Sequence, residues 1–346
     1  MQFTENSEAR ETDIVPTQSM SDIQLVGGLQ TKLANDLILY VTLTLFIVGT
    51  IGNLLTLVVM QTKEYRKSPS SVVLGSLAVV DTAVLMTSLL TIGLSGVPEL
   101  NITAHNVASC KILTYLTSVF MHLSPALVVT MTIERLISIF APFHAKTLCT
   151  KYRMMIAVGI VTLLCALVNV FILVYVTKIP GGYNGCGVSA EYEYLYYSVW
   201  PWVDFTVSTF LPSLVIVSGN ILILRQVLGS SKDAGVQTRA HRSMSITLIL
   251  ISVCFVILTW PSCVLHILHS TPLFIKPTPT AELLITVTML MFISNSSVNF
   301  FLYCLSGSRF RRGLAEVFTC DKKASTTSTS EPPPPTTLVT FSTGVN

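Results

Sequence analysis

Charge is what this 346-residue chain has least of: Asp, Glu, Lys and Arg together make up 11% of it. Soluble domains carry about 25%, so a water-exposed globular protein is excluded. With 51% apolar residues the chain reads as an integral membrane protein. Alternating ten-residue segments of the barrel type are missing as well, which leaves helices. There is no phosphate-binding glycine loop, no metal-ligand spacing and no nucleophile with its base. An enzyme is therefore not expected, and neither is a nucleic-acid partner. The first 34 residues lack the apolar core of a signal peptide, so the first span is expected to serve as its own insertion signal.

What is present is a series of charge-poor stretches long enough to cross a bilayer as helices. They lie at 37–61, 71–96, 111–140, 154–177, 197–227, 243–269 and 282–305, the second interrupted by Asp81 and the fifth by Asp204. The expected fold is an all-α membrane protein, a seven-transmembrane helix bundle over 35–306. An extracellular tail, 1–34, precedes it. A short amphipathic eighth helix, 307–320, and a disordered cytoplasmic tail, 321–346, follow. Basic residues set the orientation. Sixteen Lys and Arg, from Lys63 to Lys323, fall on one side, and only Arg10, Lys32, Lys111, Lys178 and Lys276 fall on the other. The N-terminus is expected outside, in a plasma membrane, with Glu99, Glu191, Glu193 and Glu282 making the outer surface acidic. Of eight cysteines only Cys110 and Cys186 face that oxidising side, which implies one disulfide. Asn101, in "NIT", is the expected glycan acceptor.

The stretch "MTIERLISIFAPFHA" ends an apolar run on Glu134 and Arg135 and then resumes, as a helix reaching the membrane surface does. It has company. "GTIGN" carries Asn53, "LAVVD" carries Asp81, "FLP" carries Pro212, "FVILTWP" carries Phe255, and "NSSVNFFLY" ends on Tyr303 before "SRFRRGLAEVF". Twenty-five residues separate Cys110 from Arg135. In this order the motifs resemble rhodopsin-like (class A) G-protein-coupled receptors. The resemblance implies that Glu134 holds Arg135 until a heterotrimeric G protein draws it away, with Pro212, Phe255 and Tyr303 taking part in the switch. It implies a polar pocket of Asp81, Ser124, Asn295 and Asn299, either for an allosteric sodium ion or for a protonated Asp81 satisfied by asparagines. The chain departs from the family at Leu136, at Phe300, at Asn220 and at His241. Trp260 stands one place late, with Thr259 in its usual slot. Together these departures imply a loosely held resting state with basal activity.

The ligand class follows by exclusion within the resemblance. Thr117 replaces the amine-binding Asp of aminergic members, and 283–308 contains no Lys for retinal. Thr114, Thr117, Met121 and His122 share one face of the third span, and Asp204, Thr259, Trp260 and His266 are expected around the same site, with Glu191 and Glu282 at its mouth. Asp204 has two candidate partners, His122 or a cation of the ligand, and the acidic mouth favours the ligand. "NFFLYCLSGSRFRR" is most similar to invertebrate FMRFamide-type neuropeptide receptors, which implies an extracellular, cationic, amidated peptide. Ser325 to Ser330 form a cluster for receptor kinase and arrestin, and Cys320 is an expected palmitoylation site. A small-molecule receptor is the alternative. A transporter or pump would show more charged or broken spans than Asp81 and Asp204 supply.

Overall fold

The computed structural model describes residues 20–179, 185–229, 236–270 and 278–326, with side chains described at 25–179, 185–226, 246–269 and 278–319. Among them are seven helices long and apolar enough to cross a membrane: Leu25–Met60, Ser70–Gly93, Val107–Phe140, Lys151–Tyr175, Ala190–Gln226, Ile246–His269 and Pro279–Ser306. Local chemistry sets their starts. Asn106 and Ser109 form a reciprocal capping box, Asn106 Oδ1 accepting from Ser109 N at 2.8 Å. Thr150 caps the fourth span, and Thr278 with Pro279 opens the seventh. Pro142 starts the separate short helix Pro142–Leu148, where the chain resumes after the charge pair.

The first span departs from the expectation of a 34-residue tail. Its helix, Met20–Met60, has 41 residues, about 60 Å at the usual rise, twice the roughly 30 Å of a hydrocarbon core. The extra turns lie along the start of the seventh span. A Cβ on Gly27 would sit 3.2 Å from Pro279, and Thr31 donates to Glu282 at 3.5 Å.

The fifth span also begins early and is not uniform. Helical segments Trp200–Phe205 and Leu211–Gly229 bracket a wide π turn at Thr206–Phe210, and another π turn spans Leu195–Val199. Pro212 has no N–H to give its preceding turn, and the π turn sits where that missing bond falls.

An apolar core around Leu77, Leu127 and Phe255 is joined by buried polar groups, while many aliphatic side chains face outward. Asn53, Asp81, Ser88, Ser124 and Asn299 are buried, while Leu54, Ile160, Leu163 and Leu214 are exposed. Lipid tails are as apolar as leucine, so seams are built from small or polar groups instead. Gly49 and Gly52 show this: an added Cβ would lie 2.8 Å from Ser297 Oγ at the first and 2.9 Å from Phe300 Cβ at the second.

Between the fourth and fifth spans, Val176–Lys178 and Cys186–Val188 pair as an antiparallel hairpin. Gly185, at φ +75°, starts the return strand against Ala104, where a Cβ would lie 3.0 Å away. The terminal helix, Ser308–Thr326, runs six residues past the expected end. It buries Phe310 and Gly313, half-buries Leu314 and Val317, and exposes Arg311 and Arg312. Cys320, His241 and the Ser325–Ser330 cluster lie outside the residues whose side chains are described.

Candidate functional site

A cavity of about 450 Å³ opens at the end of the bundle that carries the disulfide. Thr114, Thr117 and Met121 line it at helical steps along the third span. Tyr196, Tyr197 and Asp204 enter from the fifth, and Ser262, Cys263 and His266 from the sixth. Its lid is the strand Cys186–Val188, tied by the Cys110–Cys186 disulfide to the third span. Val188 pairs with Val176, and both are buried against Ile172, so the lid has an apolar underside of its own.

Asp204 is the carboxylate among the lining residues, and it has a partner inside the protein. Its Oδ1 lies 3.2 Å from His122 Nε2, the imidazole being 1% exposed and the carboxylate 32%. His122 Nδ1 lies 2.8 Å from the Ser118 carbonyl oxygen. Asn169 Nδ2, a donor, also lies 3.2 Å from His122 Nδ1, so a neutral imidazole can accept there and give its Nε2 proton to Asp204. The π turn adds a residue to the helix, rotating the residues above it by about 100° relative to those below, and Asp204 lies just above it.

Deeper in the bundle Asp81 is fully buried. Ser124 donates to its Oδ1 and Asn299 to its Oδ2, each at 2.7 Å. The Ser296 hydroxyl also reaches the carboxylate. Asn295 is only half-buried and does not bond Asp81, so Ser296 takes the place expected for it.

At the far end Glu134 and Arg135 are buried 3.5 Å apart. A residue that sequence reasoning missed joins them: Ser70 donates to both carboxylate oxygens at 3.1 Å and accepts from the Arg135 guanidinium. Arg135 lines a small void, about 40 Å³, together with Tyr65, Tyr303 and Phe310. Tyr303 is buried against Phe310, ring centroids 5.4 Å apart. Burial pushes the Tyr65 phenol above its usual range, against the opposing pull of Arg309, whose guanidinium lies 4.7 Å over its ring. Phe255 sits in the core between the two ends, 2% exposed.

Residues 52–303 match the 7 transmembrane receptor (rhodopsin family). The chain belongs to that family. It is a family of receptors, not of enzymes. This family member is 25% identical to the "FMRFamide receptor" of Drosophila melanogaster over 304 residues, covering 79% of this chain and 52% of that protein. It is 31% identical over 150 residues to the "Thyrotropin-releasing hormone receptor" of Mus musculus, 41% of this chain and 36% of that one. The human receptor of the same name is 31% identical over 152 residues, 42% and 34% of the two chains. The chain thus spans about half, or less, of the length of these relatives.

Five residues expected at the receptor's cavity do not line it. His122 lies behind Asp204. Glu191 is exposed on the turn Ala190–Tyr192. Glu282 is exposed and faces Thr31 of the first span. Thr259 is buried with its hydroxyl on the Phe255 carbonyl at 2.7 Å. Trp260 turns toward the fifth span, its Nε1 donating to Ser213 Oγ at 2.9 Å and its ring meeting Phe205 edge-on. One position along a helix is about 100° of rotation, which is what the late tryptophan amounts to. Asn101 is 7% exposed, its amide oxygen capping Ala104 and accepting from Thr103 while its Nδ2 donates to the Ser95 carbonyl at 3.4 Å. Ser262 and Cys263 stand four and three residues before His266, a spacing that marks them in retrospect. Met289 and Phe292, apolar in an apolar span, gave no such signal.

Proposed function

We propose that the chain is a plasma-membrane G-protein-coupled receptor for an extracellular peptide, inserted with its N-terminus outside. The supporting observation is the pairing, in one bundle, of a cavity under a tethered lid at one end with a buried, carboxylate-held Arg135 at the other. Asp204 keeps about a third of its side chain open to the cavity beyond His122, which gives a cationic ligand group a partner. The similarity to receptors named for FMRFamide and thyrotropin-releasing hormone favours a peptide over a small molecule. The heterotrimeric G protein would engage the Arg135 end, with kinase and arrestin at Ser325–Ser330 and a palmitate at Cys320. A panel of amidated peptides with a calcium readout tests the reading. Agonist-dependent nucleotide exchange on added G protein supports it, and solute flux in sealed vesicles without exchange would replace it by a transporter.

Two expected results follow from the buried polar groups. Glu134→Gln removes the charge that Ser70 and Arg135 share. Agonist-free nucleotide exchange should rise roughly tenfold, because weakening a bond that holds only the resting state moves population toward the active one. Unchanged basal exchange at normal surface expression would show that the pair only anchors the helix end. Asp81 with the Ser124 and Ser296 hydroxyls is an all-oxygen set that suits a hard cation such as sodium. Agonist binding should weaken when sodium replaces choline, and Asp81→Asn should abolish the difference. Wild-type binding insensitive to the swap would favour a protonated Asp81.

A further inference from the structure

On the lipid-facing side, the fifth and sixth spans leave a groove of about 320 Å³ between them, in the half of the bundle away from the ligand cavity. Its walls are Val217, Ile221 and Leu224 on one helix and Val253, Val256 and Ile257 on the other. Asn220 and Ser252 also line it, a polar pair among aliphatic side chains. The Ser252 proton goes to the Leu248 carbonyl at 2.6 Å, so the Ser252 oxygen accepts from Asn220 Nδ2. That assignment fixes the amide and, among the described residues, leaves Asn220 Oδ1 without a hydrogen-bond partner, in a residue only 6% exposed. An acceptor left unpaired away from water is costly, and a donor brought to it recovers that cost.

We propose that the groove is a binding site for a sterol, a neutral membrane amphiphile whose single hydroxyl donates to Asn220 Oδ1. The walls carry no charge. Arg225 comes five residues after Asn220, about 7.5 Å further along the helix axis, so Asn220 lies inside the apolar layer, where an ionised headgroup is disfavoured. A fatty acid would bring a carboxylate, a second acceptor, to an acceptor. A plain acyl chain would leave the oxygen unpaired. From Ile249 to Ile257 the groove runs about 12 Å, the length of a compact ring body and not of an extended chain. Oδ1 is itself closed off; the terminal amide torsion of asparagine is broad, and the rotation that brings Oδ1 to the occupant swings Nδ2 with it.

The test uses purified full-length receptor in phosphatidylcholine nanodiscs, photolabelled with a diazirine sterol and mapped by peptide. Label should concentrate in 217–224 and 249–257 and be competed by free sterol. The sterol methyl ether, which has no proton to donate, should compete about three- to tenfold less well. Asn220→Leu should erase that difference between the two competitors, and Val253→Trp, which fills the groove and leaves Asn220 in place, should remove the label. Label spread over every lipid-facing span, or equal competition by the ether or a fatty acid, would overturn the proposal and mark ordinary annular lipid. The ether comparison is made on the wild type, so it decides the question even if a variant fails to fold.

Discussion

Asp204→Asn should lower agonist potency about thirtyfold or more, the 2–5 kcal/mol that truncating a buried charge pair costs, at unchanged surface expression. The substitution keeps the size and hydrogen-bonding capacity of the side chain and removes only its charge. Two groups compete for that charge. One is the His122 imidazole, 3.2 Å away and buried. The other is whatever enters the cavity that Asp204 partly faces. A second background separates them. His122→Gln removes the internal partner without emptying its site, and Asp204→Asn is then measured again. If the carboxylate serves the ligand, the potency loss persists in the His122→Gln receptor. If it serves only to hold the imidazole, the loss disappears there, because residues acting through one contact are not additive. Reduced expression with normal potency of the surviving receptor would make the residue purely structural and release the ligand from having to be cationic.

Cys186→Ser should abolish agonist binding, surface expression, or both. The disulfide joins positions 76 residues apart in sequence, and loss of such a link typically costs about 2–5 kcal/mol. The helices are held by their own packing, so the cost falls on the hairpin. Cys186, Gly187 and Val188 all line the cavity. Without the link, Val188 has only its strand pairing with Val176 and the small cluster around Ile172 to keep it over the ligand. Binding of labelled agonist to intact cells, with antibody staining for surface receptor, reads both effects. Normal values for both would mean that the lid stays in place unaided.

The bundle was legible because its signals are local. Each span announces itself by the absence of charge over a fixed length, whereas Asn106, Pro142 and Thr278, which set helix starts, emerge only from the structure. The extension of the first helix was not legible. Its stretch is polar enough to read as a tail, and what orders it is Pro279 and Glu282, some 251 positions away in the chain. The cavity was read in part. Thr114, Thr117, Met121, Asp204 and His266 line it, as helical spacing and depth implied. Glu191 and Glu282 do not, because an acidic exterior says how much charge is present and not which way it points. His122 was counted as a ligand contact on the third-span face, yet the π turns of the fifth span bring Asp204 across it. No sequence period encodes an inserted residue.

Between the first and seventh helices the glycine seam works as a stator. Gly27 against Pro279, Gly49 against Ser297 and Gly52 against Phe300 bring backbone within a side chain's reach from one membrane face to the other. The terminal helix extends the frame, since a Cβ on Gly313 would lie 2.9 Å from Val59. Backbones this close cannot slide without collision. The sixth helix is mounted differently. In its Arg135-side half it buries Leu248, Ile251 and Phe255 in the core and makes the Asn220–Ser252 bond and the bond from Ser306 to Thr247 at 2.8 Å, with an open groove on its lipid side. The lipid-side groove thus leaves the sixth helix open space beside it, where the glycine seam leaves the first, seventh and terminal helices none.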